Sequence, residues 1–205
     1  MNFIIIIASV AISCVWGYYT YLRREQRSHL HFALSILVTL AGCCLFQLYG
    51  YGMLKMLRYL ILLNGILLIS CVDCREKIIS NKTLIYLLGI RTLILIAEGI
   101  SNRHTEYLKE IIISPFLGFF IGGALFFLCY FLSRNGLGAG DVKLFATIGF
   151  YVGAGTLFPV MFLSALFSAA YGIIMVALHK IQMKDTMPFG PFAAAGTMVT
   201  LLLGF

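Results

Sequence analysis

Residues 60–73 read "LILLNGILLISCVD", an almost unbroken apolar run that closes on a carboxylate. The run does not alternate apolar and polar residues as a barrel strand does, and only helices and closed barrels satisfy their backbone inside lipid. It is therefore read as a helix. Similar runs occupy about 2–22, 32–54, 57–72, 83–100, 112–132, 143–155, 156–178 and 189–205, against the roughly 20 apolar residues a spanning helix needs. The composition agrees: 61% of the 205 residues are hydrophobic and 11% charged, where a soluble domain carries about a quarter charged residues. The expected fold is all-α, a polytopic integral membrane helical bundle of about eight membrane segments. The first run, "NFIIIIASVAISCVWGYYTYL", has its arginines after the apolar stretch, as an N-out anchor does and a signal peptide does not. Residues 1–205 read as a single domain, with the first three spans in 1–72 and the chemically distinctive part in 73–205.

The net charge of +7 follows the membrane rather than a nucleic-acid partner, and none is expected. Arg23, Arg24, Arg27, Arg75, Lys77, Lys82, Arg134, Lys143, Lys180 and Lys184 fall in odd-numbered loops, while Lys55, Arg58, Arg103 and Lys109 fall in the others and Arg91 within a run. Basic residues collect on the cytoplasmic side, so the odd loops are expected inside and both termini outside.

The acids then sort themselves. Glu98, Glu106 and Glu110 read as a solvated outward loop, Glu25 sits among arginines and Asp185 beside Lys184. Asp73 and Asp141 do not fit that explanation, because both lie at the edge of an apolar run and, by the loop count, at the same membrane face. A carboxylate there is costly and marks a functional site by default. Each has a plainer reading alone: Asp141 as a helix cap after a glycine-rich turn, Asp73 as an interfacial partner of Arg75 or Lys77. As a pair they can share one proton and activate a water between them.

The stretch Gly136-Leu137-Gly138-Ala139-Gly140-Asp141-Val142-Lys143-Leu144 resembles the GxGxGD-V-K-L signature of type IV prepilin peptidases, the GxGD aspartic membrane proteases. Asp73 with "CREKIISN" (74–81) is similar to that family's first-aspartate motif, and "MPFGPFAAAG" (187–196) to its P-F-G-P motif. The three stand in the family's order. The resemblance implies an aspartic endopeptidase of the inner (cytoplasmic) membrane, with Asp73 and Asp141 catalytic at the cytoplasmic face. Its implied partners are the lipid bilayer and a prepilin or pseudopilin whose short basic leader is cut before a hydrophobic helix. Gly136, Gly138, Gly140, Lys143, Pro188, Phe189, Gly190 and Pro191 become supporting or substrate-binding residues. Lys143 either steadies a carboxylate or a substrate carbonyl, or anchors the helix to the inner face.

The chain departs from the family in two places. Ser80, followed by Asn81, stands where the family has proline. The first loop, "RREQRSHLH" (23–31), holds no cysteine, where long members carry a zinc-binding tetracysteine region associated with methylation of the trimmed pilin. The resemblance is thus to a short form without that region.

No cofactor and no metal are expected. Cys71 and Cys74 form a CxxC without a second such pair, and His29 and His31 lack a third ligand. Cys14, Cys43, Cys44 and Cys129 lie in apolar runs, where cysteine behaves as a small hydrophobe. Two other function classes stay open on the residues alone: a small transporter or proton-coupled channel using the two aspartates, and a non-catalytic pilus assembly subunit.

Overall fold

A computed structural model describes residues 28–106, 108–132, 137–180 and 187–204, with side-chain surroundings from residue 33 onward. The first apolar run, the arginines of 23–27, Cys14 and Gly136 lie outside the described residues, as do the side chains of His29 and His31. The described residues form seven helices: α1 (Ser28–Leu48), α2 (Met53–Glu76), α3 (Asn81–Ser101), α4 (Leu108–Leu132), α5 (Ala139–Val152), α6 (Ala154–Ala177) and α7 (Gly190–Leu203). Four of them, α2, α3, α4 and α6, are long and apolar enough to cross a membrane. The all-helical class is as expected, whereas these four fall short of the expected eight segments, α5 and α7 being only 14 residues each.

The boundaries also shift. The run expected over 32–54 ends at Leu48, because Tyr49-Gly50-Tyr51-Gly52 turns the chain with Gly50 at φ 67. Lys55 and Arg58 thereby join α2 instead of a loop. The break between α5 and α6 falls at Gly153, whose φ of 81 favours glycine, and not at the expected 155–156.

Helices α2 and α5 are both central: α2 packs against α1, α3, α5 and α7, and α5 against α2, α3, α4 and α6. On α2, Leu60, Leu62, Leu63, Ile66 and Ile69 are buried. Polar bonds add to the α1–α2 contact: Ser35 Oγ donates to Asn64 Oδ1 (2.9 Å), and Asn64 Nδ2 to Thr39 Oγ1 (3.0 Å). Such bonds hold helices together where lipid offers no hydrophobic drive. Helix α5 is buried from Leu144 to Val152 without a break, as expected of a helix apolar all round. It lies so close to α4 that a Cβ added to Gly118 or Gly149 would strike the other's carbonyl oxygen. Small residues permit that approach.

The end of the bundle away from Asp73 holds a buried ion cluster. Arg91 Nη1 donates to Glu98 Oε2 at 2.9 Å and Arg58 Nη1 to Glu98 Oε1 at 3.2 Å, while Arg91 Nε donates to the carbonyl of Phe150 (3.1 Å). Glu98 is therefore not the solvated loop acid its neighbours suggested. Helix α3 runs on to Ser101, and Glu98 turns inward to pair with two guanidinium groups. Tyr151 Oη donates to the Leu87 carbonyl (2.7 Å), so α3 grips the end of α5 by two polar bonds. Arg58 and Asp73 are fifteen residues apart on α2, which puts this cluster about 22 Å from the other end.

Candidate active site

Asp73 occupies the last turn of α2, which Lys77 ends in the left-handed conformation (φ 51). A carboxylate there opposes the negative end of the helix dipole. Its compensation comes from another element: the N–H of Gly190, first residue of α7, donates to Asp73 Oδ2 at 2.7 Å. Only glycine fits so close, since a Cβ at position 190 would lie 2.9 Å from that oxygen and 3.1 Å from the Asp73 Cβ.

Asp141 sits in the first turn of α5, where the dipole favours a negative charge. The cap is Gly138 rather than Asp141 itself. The Gly138 N–H donates to Asp141 Oδ2 (3.0 Å) while the Asp141 N–H donates to the Gly138 carbonyl (3.0 Å), the glycine counterpart of a capping box. Each carboxylate thus accepts a backbone N–H at the N-terminus of a helix, Asp73 from α7 and Asp141 from α5.

The two meet in one cavity of about 320 Å³, lined by Asp73, Asp141, Gly138, Gly140, Lys143 and the turn that follows α2. Both are buried, at 4% and 8% exposure. Burial pushes the Asp141 carboxyl up to about 6; the Gly138 hydrogen bond opposes that rise and the Asp73 charge adds to it. A carboxyl of this kind takes and returns protons near neutral pH.

The remaining expected residues divide clearly. Gly140 abuts Ile79, whose Cβ would stand 3.0 Å from an added Cβ, so the 77–80 turn is seated on the glycine turn. Phe189 packs its ring on Phe126 and Phe145, each 5.8 Å away, and those two rings stack at 3.7 Å. That aromatic cluster fixes the start of α7 against the Asp141 helix. Pro191 lies at a helix start, where its missing N–H costs nothing, and Pro188 precedes it in the half-buried approach to α7. Lys143 Nζ donates to Asn81 Oδ1 (3.1 Å) and lines the cavity with it. Lys77, Ile79 and Asn81, which the sequence showed only as part of the stretch after Asp73, also line the cavity.

The family model of the type IV leader peptidase family matches residues 60–173, more than half of the chain. The chain belongs to that family. This leader peptidase family member is similar to the prepilin leader peptidase/N-methyltransferase of Bacillus subtilis, 29% identical over 168 residues that cover 80% of this chain and 64% of that protein. It is similar also to proteins of the same description in Pseudomonas aeruginosa, 28% identical over 71% of this chain and 49% of that protein, and Burkholderia pseudomallei, 37% identical over 41% and 29%. The matches thus span less than two thirds of each relative's length. No solved structure matches the chain. With four helices able to cross a bilayer, this family member is a multi-pass membrane protein.

Proposed function

We propose that this chain is an aspartic endopeptidase that removes the short basic leader from a type IV prepilin or pseudopilin. The observation that carries the reading is the single cavity that Asp73 and Asp141 both line. In the proposed reaction the pair shares one proton. The ionised carboxylate takes a proton from a water held between the two, and the oxygen of that water bonds to the scissile carbonyl carbon. The protonated carboxyl gives its proton to the carbonyl oxygen, forming a neutral tetrahedral diol. Collapse re-forms the carbonyl, breaks the C–N bond and passes a proton to the leaving amine, which returns the pair to its single shared proton. Gly138 and Gly190 hold the two carboxylates by backbone N–H groups throughout.

The same proposal sets the topology. Asp73, Asp141 and Gly190 stand at one end of the bundle, with Arg75, Lys77, Lys82 and Lys143 near it in sequence, which supports a cytoplasmic placement of that end. That end would then face the cytoplasm from the inner membrane, with α2, α3, α4 and α6 crossing the bilayer.

Cleavage by purified protein in vesicles tests the function. Wild type trims a prepilin at its leader junction, and Asp73→Asn and Asp141→Asn leave it uncut while retaining the wild-type melting temperature within a few degrees. Turnover by either variant at a tenth of the wild-type rate or more would exclude the aspartic mechanism.

A further inference from the structure

A second cavity, of about 680 Å³, runs along the flank of the bundle between α3, α4 and α5. Its walls are apolar, with Leu84 and Leu88 on one side and Phe120 and Phe127 on the other. The two phenylalanines are 66% and 60% exposed, so the groove opens sideways, where α3 and α4 face lipid. Its floor is low. Gly123 and Ala124 of α4 contribute little or no side chain, and a Cβ at Gly123 would meet only Ala146, at 3.4 Å.

The groove adjoins the aspartate cavity. Asn81 and Lys143, which hydrogen-bond to each other, line both it and the aspartate cavity. From Asn81 to Leu88 it descends along α3 for two turns, about 10 Å. A lipid tail would fill such a flank, but its place beside two carboxylates would then serve no purpose. A polypeptide cut between Asp73 and Asp141 must continue beyond the polar cavity, and where it enters hydrocarbon its backbone must be helical to satisfy its own N–H and C=O groups. A glycine and an alanine on the floor let the backbone of another helix come close.

We infer that this groove seats an apolar α-helix of the substrate, continuous with the segment that lies between the aspartates, and that Gly123 and Ala124 admit it. The inference rests on the peptidase reading above and adds to it the surface that selects membrane-anchored substrates.

Two substrates separate the possibilities: a full prepilin with its apolar helix, and a short soluble peptide carrying only the leader junction. In Gly123→Leu and Ala124→Leu the ratio of kcat/KM for the prepilin to that for the peptide falls at least about tenfold, the scale on which one overpacked side chain is felt. Ala170→Leu, on the exposed face of α6, leaves the ratio at its wild-type value. An unchanged ratio in both groove variants overturns the inference. If wild type cuts neither substrate, the peptidase reading falls, and photo-crosslinking still decides the groove. A benzoylphenylalanine at Phe120 in the Asp141→Asn protein crosslinks to the prepilin's apolar helix, while one at Phe162, 68% exposed on α6, does not. Crosslinks from Phe120 to lipid alone refute the seat.

Discussion

Asp73 and Gly190 lie 117 residues apart in sequence, and the Gly190 N–H donates to Asp73 Oδ2 at 2.7 Å. One bond joins the end of α2 to the start of α7 and sets the carboxylate at the positive end of that helix.

Gly190→Ala tests that bond. The added methyl would lie 2.9 Å from Asp73 Oδ2, so the carboxylate must turn away. Misplacement of a reacting group on this scale costs up to about a hundredfold in rate. We expect kcat on a prepilin to fall about ten- to a hundredfold with KM changed less than about threefold. Steady-state kinetics and a melting curve on the same preparation distinguish this from unfolding, and wild-type kcat would show that Asp73 does not depend on Gly190.

The Asp141 carboxyl, pushed up to about 6 chiefly by burial, sets a pH dependence. A raised acid keeps its proton below its pKa and loses it as pH rises through that value. The shared-proton form of the pair is thus depleted on the alkaline side. The profile of kcat/KM, which reports free-enzyme groups, should fall with rising pH with a midpoint near 6. The Asp73 charge contributes to the rise, so Asp73→Asn should let Asp141 ionise at lower pH than in wild type. Infrared titration of the protonated-carboxyl band reads this without activity; an unmoved Asp141 midpoint would place the two carboxylates out of electrostatic reach.

Glu98 makes a prediction about stability. Its one carboxylate pairs with both Arg58 and the fully buried Arg91, and Arg91 Nη2 has no partner. Removing one member of a buried pair costs about 3–5 kcal/mol, whereas replacing the pair by apolar groups is far cheaper. Glu98→Gln should therefore lower stability more than the double change Arg91→Met with Glu98→Met. Thermal unfolding of both in one detergent checks the order, and a double variant less stable than Glu98→Gln would contradict it.

The sequence made the aspartates conspicuous because charge is expensive beside lipid and few carboxylates are present. It hid Glu98 for a related reason: Glu98, Glu106 and Glu110 read together as a loop, although Arg91 inside an apolar run already required a counter-charge. The helix runs themselves were legible, but not which were lipid-facing and which enclosed, since Phe145 in the core and Phe131 at 77% exposure are equally apolar. Gly118, Gly122 and Gly149 were the signal for the close α4–α5 contact. The Gly190 bond could not be read at all, because it is made by backbone.

The last prediction concerns the pair directly. Asp73 closes α2 and Asp141 opens α5, both line a cavity of about 320 Å³, and the charge of Asp73 acts on Asp141. Disulfides form when Cα atoms are up to about 7 Å apart, and a short bifunctional linker extends that reach. Cys71 and Cys74 flank Asp73 and must first be replaced by serine, with the other native cysteines replaced as tolerated. Asp73→Cys combined with Asp141→Cys should then crosslink within one chain, by mild oxidation or with the linker. Arg58→Cys with Asp141→Cys is the control, because Arg58 stands about 22 Å along α2 from position 73. Intramolecular bridging raises gel mobility and is reversed by reductant when it is a disulfide. If the control pair crosslinks as readily as the aspartate positions, or if neither reagent bridges 73 and 141, the carboxylates do not share a site and the aspartic mechanism fails with them.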